Sequence, residues 1–232
     1  MRRISVLLLC VVAASGAAVA RTGRQAPLAD ALFVAPPAET SAPAPAGSGQ
    51  PSLVTDSRGR VWMSWLEARP DRTHAFRVAR WQDGRWSTPV TIAEGADFFA
   101  NWADVPSIFV TSTGTIAAHW LQKGGSGGTY DYGVRVRTST DDGRTWSAVE
   151  TPHKDGTPTE HGFVSFFEAD AGAPGLIWLD GRATAGHGAG GGSTAGAAAS
   201  DGGHGGSGAM TLRSAILTGG KAGAELLVDD RV

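Results

Sequence analysis

Three short stretches carry the side chains best suited to chemistry. Phe98-Phe99-Ala100-Asn101-Trp102-Ala103-Asp104 groups an amide, an indole and a carboxylate. His153-Lys154-Asp155-Gly156-Thr157-Pro158-Thr159-Glu160-His161 ends on an adjacent acid and imidazole. Asp180-Gly181-Arg182 sets an anion beside a cation. Asp104 could act as an acid/base or cap its own loop. Glu160 and His161 could exchange protons, hold a metal, or cap a strand. Asp180 and Arg182 could present charges to a ligand or form a local ion pair worth little at a surface. Asp104, Glu160 and His161 are therefore the catalytic candidates. Asn101, Trp102, Asp180 and Arg182 are the binding candidates. An indole face stacks on sugar C–H surfaces, and a guanidinium clamps a carboxylate. Tyr130 and Tyr132 are the only tyrosines; Tyr132 begins a strand and reads as packing. His187 and His204 lack metal-ligand spacing. No metal and no cofactor are expected.

Such loops need a scaffold, and the chain repeats one. From Pro51 onward, three units each hold an inner strand, a turn, and a second strand ending in Trp-Leu plus a polar residue. They run Pro51-Ser52-Leu53 to Trp65-Leu66-Glu67, Pro106-Ser107-Ile108 to Trp120-Leu121-Gln122, and Val164-Ser165-Phe166 to Trp178-Leu179-Asp180. The first two units are offset by the same interval at both ends. Asp56-Ser57-Arg58-Gly59, Ser112-Thr113-Gly114 and Gly172-Ala173-Pro174-Gly175 suit tight reversals. An outer hairpin follows each: Phe76–Arg80 with Trp86–Val90, Gly133–Arg137 with Trp146–Val149, and Met210–Arg213 with Leu226–Val228. Strand apolarity suggests burial on both faces. Rich in Gly and Trp and without a long amphipathic helical run, the chain reads as all-β.

The turn of the second outer hairpin is Ser139-Thr140-Asp141-Asp142-Gly143-Arg144-Thr145-Trp146. It fits Ser-x-Asp-x-Gly-x-Thr-Trp, with Ser139, Asp141, Gly143, Thr145 and Trp146 at the defined positions. Asp141 can accept backbone N–H bonds, Gly143 can take a positive φ, and Trp146 can fill a gap between strands. Gln82-Asp83-Gly84-Arg85-Trp86 looks like a degraded copy. On these residues the chain resembles the sialidase-like (neuraminidase-like) Asp-box, or BNR-repeat, β-propellers over about residues 50 to 232. The resemblance implies about three four-stranded blades of a probable six, hence an N-terminal fragment of a partial propeller. It also implies that ligands meet the rim opposite the Asp-box turns. The implied activity is that of an exo-α-sialidase-type glycoside hydrolase acting on glycans. The alternative is a non-catalytic propeller that binds glycans or proteins, or serves as a scaffold. Sialidases use three Arg residues, a Tyr–Glu nucleophile and an Asp acid/base. Their Arg-Ile-Pro motif is missing here, so the catalytic set does not carry over.

Residues 1–20 read as a signal peptide: Arg2 and Arg3, an apolar run from Ile4 to Val12, then Ala18-Val19-Ala20. Export to the periplasm or beyond follows as an expectation. Residues 21–48 form an Ala/Pro-rich linker, and 49–232 hold the blades, with a Gly-rich flexible insertion at about 183–209. Cys10, the only cysteine, falls inside the leader, which leaves no thiol chemistry downstream. Net charge is −2 and becomes more negative without Arg2 and Arg3. That gives no footprint for nucleic acid, nor for a membrane once the leader is gone.

Overall fold

A computed structural model describes residues 39–185 and 209–231. The chain divides into a unit spanning Met1–Ser41 and one spanning Ala42–Val232. The fold below is that of the second. The expected leader, most of the linker, and most of the Gly-rich insertion lie outside the described residues.

Three antiparallel sheets follow one another along the chain, and no α-helix occurs among the described residues. The first holds β1 (Gly49–Thr55), β2 (Val61–Ala68), β3 (His74–Gln82), the short β4 (Arg85–Trp86) and β5 (Val90–Gly95), with β4 and β5 both paired to β3. The second holds β6 (Ser107–Val110), β7 (Ile116–Lys123) and β8 (Tyr132–Ser139). The third holds β9 (His161–Glu168), β10 (Pro174–Asp180), β11 (Thr211–Thr218), β12 (Lys221–Ala222) and β13 (Leu226–Asp229), with β12 and β13 both on β11. All three sheets are open. Their shared plan is inner strand, second strand, third strand, then an outer segment. The second sheet departs from expectation at its outer edge: Trp146–Val149 is not a strand, and only Glu150 bridges to Val136.

The repeat extends to register. Trp65 lies opposite Arg77, Trp120 opposite Arg135, and Trp178 opposite Arg213. All three indoles are buried. The same cross-strand pair thus recurs in each sheet.

The second sheet is covered on both faces. Because successive strand side chains alternate, Ile116, Ala118 and Trp120 join a core with Trp62, Leu66, Phe76, Val78 and Ile92 of the first sheet. Ala117 and Leu121 join a second core with Leu176, Trp178, Ala215 and Leu217 of the third. This two-sided burial explains why β7 reads Ile-Ala-Ala-His-Trp-Leu without polar alternation. The one polar residue within that run, His119, is buried edge-on against Phe166 of β9. The outermost faces keep apolar side chains in the open, among them Leu53 of β1 and Leu226, Leu227 and Val228 of β13.

Candidate functional site

Antiparallel strand order sorts the connections into two ends. The segments around 69–73, 96–106, 124–131, 151–160 and 181–185 lie at one end. The turns around 56–60, 83–84, 111–115, 140–146, 169–173 and 219–220 lie at the other. Every candidate catalytic and binding residue belongs to the first end. The octapeptide belongs to the second.

Asn101 organises the 96–106 connection. Its side-chain oxygen accepts the N–H groups of Ala103 and Asp104, both at 2.8 Å, and its amide donates to the Asp104 carbonyl. This is an Asx-type turn, so the amide that looked ligand-facing is spent on its own loop. The loop is gripped from both sides. Gln50, at a left-handed φ of 54° beside a register shift in β1, donates to the Asn101 carbonyl. On the other side Asp104 accepts the N–H of Phe163 at 2.5 Å. Phe163 has φ 51° where β9 slips register against β10. A bulge leaves such an N–H without a strand partner, and Asp104 supplies the acceptor. Gly162 is required there, since a Cβ would run into the Asp104 carboxylate and the Tyr132 ring. Between these anchors Trp102 stands 93% exposed. Tyr130, on the neighbouring 124–131 connection, is also exposed.

Behind this loop Asp104, Tyr132 and Glu160 come together. The Tyr132 hydroxyl donates to Glu160 Oε1. Phe99 stacks on the Tyr132 ring at 3.9 Å between centroids. Burial pushes the phenol's pKa above its ordinary value, and the hydrogen bond to Glu160 adds to the rise. Tyr132 is thus a neutral, covered phenol, in keeping with the packing role. Burial also raises Asp104 to about 6; the Phe163 N–H pulls the other way, and the Glu160 charge pushes further up. Only 4% of Asp104 is exposed, so its carboxyl faces protein, not a ligand cavity.

A larger polar cluster joins the 151–160 connection to the third sheet. His161 is buried, with Nδ1 2.9 Å from the Thr159 carbonyl and Nε2 3.1 Å from Asp155 Oδ1. His153 stacks on it, centroids 3.9 Å apart. Burial, with His161 close by, holds the pKa of His153 down to about 3. Asp180 is fully buried at the end of β10 and accepts from Trp178 Nε1 at 2.9 Å and from Arg182 Nε at 2.7 Å. Burial opposes its ionisation, but the Arg182 and Trp178 bonds outweigh that and hold it low. Arg182 also reaches Asp155 at 3.2 Å and Glu225 at 2.6 Å, and Glu225 pairs with Arg213. Asp180 raises the Arg182 pKa, chiefly by accepting its guanidinium hydrogen bonds. Burial opposes ionisation of Asp155 as well, yet Thr157, His161 and Arg182 bring it to about 2. The local ion pair weighed for Asp180 and Arg182 is present, but inside the protein. His153, Asp155 and Glu225 were not singled out from sequence. The alternating His-x-Asp of 153–155, followed by His161, was the available signal.

A cavity of about 250 Å³ opens beside this cluster. Arg135, His153, Thr159, Ser126 and the backbone of Gly124 and Gly125 line it.

At the opposite end the octapeptide closes on itself. Asp141 accepts the Thr145 N–H at 2.9 Å and its hydroxyl at 2.6 Å. Ser139 donates to Asp141 at 2.8 Å and accepts the Gly143 N–H at 3.0 Å. Asp141 therefore bonds four residues on. Gly143 takes φ 76° and Trp146 packs on the first core. The variable position, Asp142, makes the inter-sheet link. It pairs with Arg60 of the turn between β1 and β2 at 3.0 Å and with Arg80 of β3 at 3.2 Å, and both guanidiniums sit over Trp62. Asp56 holds Arg60 in turn, and accepts Trp62 Nε1 at 3.0 Å.

No helix among the described residues is long and apolar enough to cross a membrane. No protein-family model and no curated protein matches the sequence. Solved structures with partial likeness include a protein of unknown function from Dyadobacter fermentans, at 14% identity and TM-score 0.42, covering 76% of this chain and 40% of that one. A Hadza microbial sialidase is similar at 20% identity and TM-score 0.40, over 57% of this chain and 32% of its own. An endo-1,4-beta-xylanase from Bacteroides thetaiotaomicron is similar at 16% identity and TM-score 0.38, over 57% and 48%. The chain thus spans less than half the length of each of these three proteins.

Proposed function

We propose that this chain is exported, forms consecutive blades of a sialidase-like β-propeller, and recognises glycans at the loop end of its sheets. The repeated Trp–Arg register and the side-by-side packing of three four-segment sheets support the blade reading. The recognition role rests on Trp102. An indole 93% exposed would ordinarily be avoided, yet this one sits on a loop pinned by Gln50, Asn101 and Asp104. A fixed, open aromatic face is suited to stacking on a sugar, with little conformational entropy to lose. Binding is favoured over hydrolysis because the candidate catalytic groups already have protein partners: Asp104 the Phe163 N–H, Glu160 the Tyr132 hydroxyl, and His161 both Thr159 and Asp155.

The test is a titration of the chain with neutral and sialylated oligosaccharides, followed by calorimetry and tryptophan fluorescence. Saturable binding that Trp102→Ala weakens about tenfold or more is expected, in line with the ~1–3 kcal/mol of an aromatic stacking contact. No binding by any sugar, with the fold intact, rejects the reading. One observation favours hydrolysis as a second reading: Asp104, raised to about 6, lies close enough to Glu160 to feel its charge. Turnover of a fluorogenic sialoside, lost in Asp104→Asn, would establish it; no turnover by folded protein removes it.

A further inference from the structure

We propose that His153, Asp155 and His161, with Asp180 as the fourth ligand, form a site for a divalent transition metal of the zinc class. Three of the donors are already gathered. His153 Nδ1 lies 3.8 Å from Asp155 Oδ1. His161 Nε2 lies 3.1 Å from the same oxygen and 3.6 Å from Asp180 Oδ2. Around a tetrahedral zinc with ligands at ~2.0–2.1 Å, neighbouring donors sit ~3.3–3.4 Å apart. The three separations lie on either side of that value; Asp180 stands outside the group formed by the other three and His153 is stacked on His161, so closing the sphere turns His153 out of the stack and draws Asp180 in. Two imidazoles with two carboxylates select zinc, cobalt or nickel over calcium or magnesium, which take oxygen donors.

The surroundings orient these donors as a second layer of ligands would. A proton on His161 Nδ1 is taken by the Thr159 carbonyl at 2.9 Å, which leaves the Nε2 lone pair facing the cluster. Thr157 occupies Asp155 Oδ2 through its N–H and hydroxyl, which turns Oδ1 inward. Arg182 holds Asp180 Oδ1 through its backbone N–H and Nε.

Arg182 is also the competitor. Its Nη2 touches Asp155 Oδ1 at 3.2 Å and Asp180 Oδ2 at 2.8 Å, the two oxygens the metal would use. Each carboxylate oxygen offers two lone-pair directions, so it can serve the guanidinium and an ion together. Glu225 at 2.6 Å gives Arg182 a further anionic partner. The ligands come from the connection leaving the second sheet, the first residue of β9 and the last of β10. A bound metal would clip that connection onto the third sheet. The inference is independent of the glycan reading.

The test uses the whole chain, stripped with chelator and then titrated with zinc by calorimetry and with cobalt(II) by visible absorption. One zinc per chain, tetrahedral-type cobalt bands and a melting temperature raised by zinc are expected. His153→Gln should weaken zinc binding by about 100-fold or more, since it removes a ligand where loss of an outer partner alone costs about 10–100-fold, while His74→Gln leaves it unchanged. His161 is buried and its replacement can unfold the chain, so the partly exposed His153 and the wild-type cobalt spectrum carry the decision. Absence of zinc heat and of cobalt bands would mean that Arg182 alone fills the cation role, and would overturn the proposal. Binding that survives His153→Gln would place the ion elsewhere, and would overturn it equally.

Discussion

His119 is the sharpest place to test the packing of these sheets. Its side chain is buried between the second and third sheets, neither ring nitrogen has a hydrogen-bond partner among the described residues, and its ring meets Phe166 edge-on at 5.4 Å. Burial holds its pKa down to about 3, against an ordinary value of 6.5. The folded state thus keeps His119 neutral while the unfolded chain protonates it. Because the folded pKa lies below the unfolded one, stability falls as pH drops from about 6.5 towards 3. Between pH 7.5 and pH 5 this one group should cost about 2 kcal/mol. His119→Leu removes that dependence. At pH 7.5 the variant also relieves two unsatisfied nitrogens, worth ~1–3 kcal/mol, and gives up an aromatic contact worth ~0.5–1.5 kcal/mol. A net gain of about 1 kcal/mol is expected, growing to about 3 kcal/mol at pH 5. Urea unfolding of both proteins across this pH range measures the difference directly. His153 titrates in both chains and cancels. Parallel stability curves for the two proteins would refute the reasoning, because they would mean that His119 is solvated or paired in the native state.

Three further outcomes follow from the same structure. Trp178→Ala should destabilise the chain by ~3–5 kcal/mol, the cost of a large core truncation, whereas Trp178→Phe should cost less and chiefly by taking the indole N–H from buried Asp180; chemical denaturation separates the two. Asp141→Ala should lower the melting temperature more than Arg144→Ala does, since Asp141 satisfies both the N–H and the hydroxyl of Thr145; equal melting curves would show that the octapeptide closes without its carboxylate. Asp104 behaves oppositely to His119. Its pKa is raised from 3.8 to about 6, so stability is gained as pH falls through that window, and Asp104→Asn should stabilise the chain by up to about 3 kcal/mol at pH 7.5. That advantage should vanish near pH 4, and a variant less stable than wild type at every pH would show that the Phe163 N–H bond dominates.

The scaffold was legible because it is written in local patterns. The Trp-Leu-polar strand endings, the Asp-Gly turns and the apolar runs each report on a few consecutive residues, and they locate β2, β7 and β10 and their turns. The recurring Trp–Arg register was present too, since an Arg stands in each third strand, but its meaning needs the pairing of two strands. The outer edge of the second sheet was misread because Trp146–Val149 has strand-like composition, and what decides its conformation is the closure of the preceding turn and the packing of Trp146 on the first core. Asn101 shows the same limit in the loops. Its type and position suit a ligand contact as well as a turn, and only the backbone geometry of Ala103 and Asp104 distinguishes them.

The polar residues were harder to assign because their chemistry is set by partners distant in sequence. Asp104 finds its hydrogen-bond donor at Phe163, where β9 slips register against β10. Asp155 gains its partners from β9 and from the end of β10. In both cases a residue on a connection meets groups of the third sheet. The candidate residues therefore act first as fasteners between neighbouring sheets, and that role orders the loop end. The consequence for function is specific. Side chains spent on fastening leave Trp102 and Tyr130 among the large exposed groups at this end of the described residues, so a substitution that loosens the fastening, such as Asp104→Ala, should weaken the proposed glycan binding without touching the indole. Its effect should appear as a broader, weaker titration with Trp102 intact. Unchanged affinity would separate the loop's anchoring from its recognition.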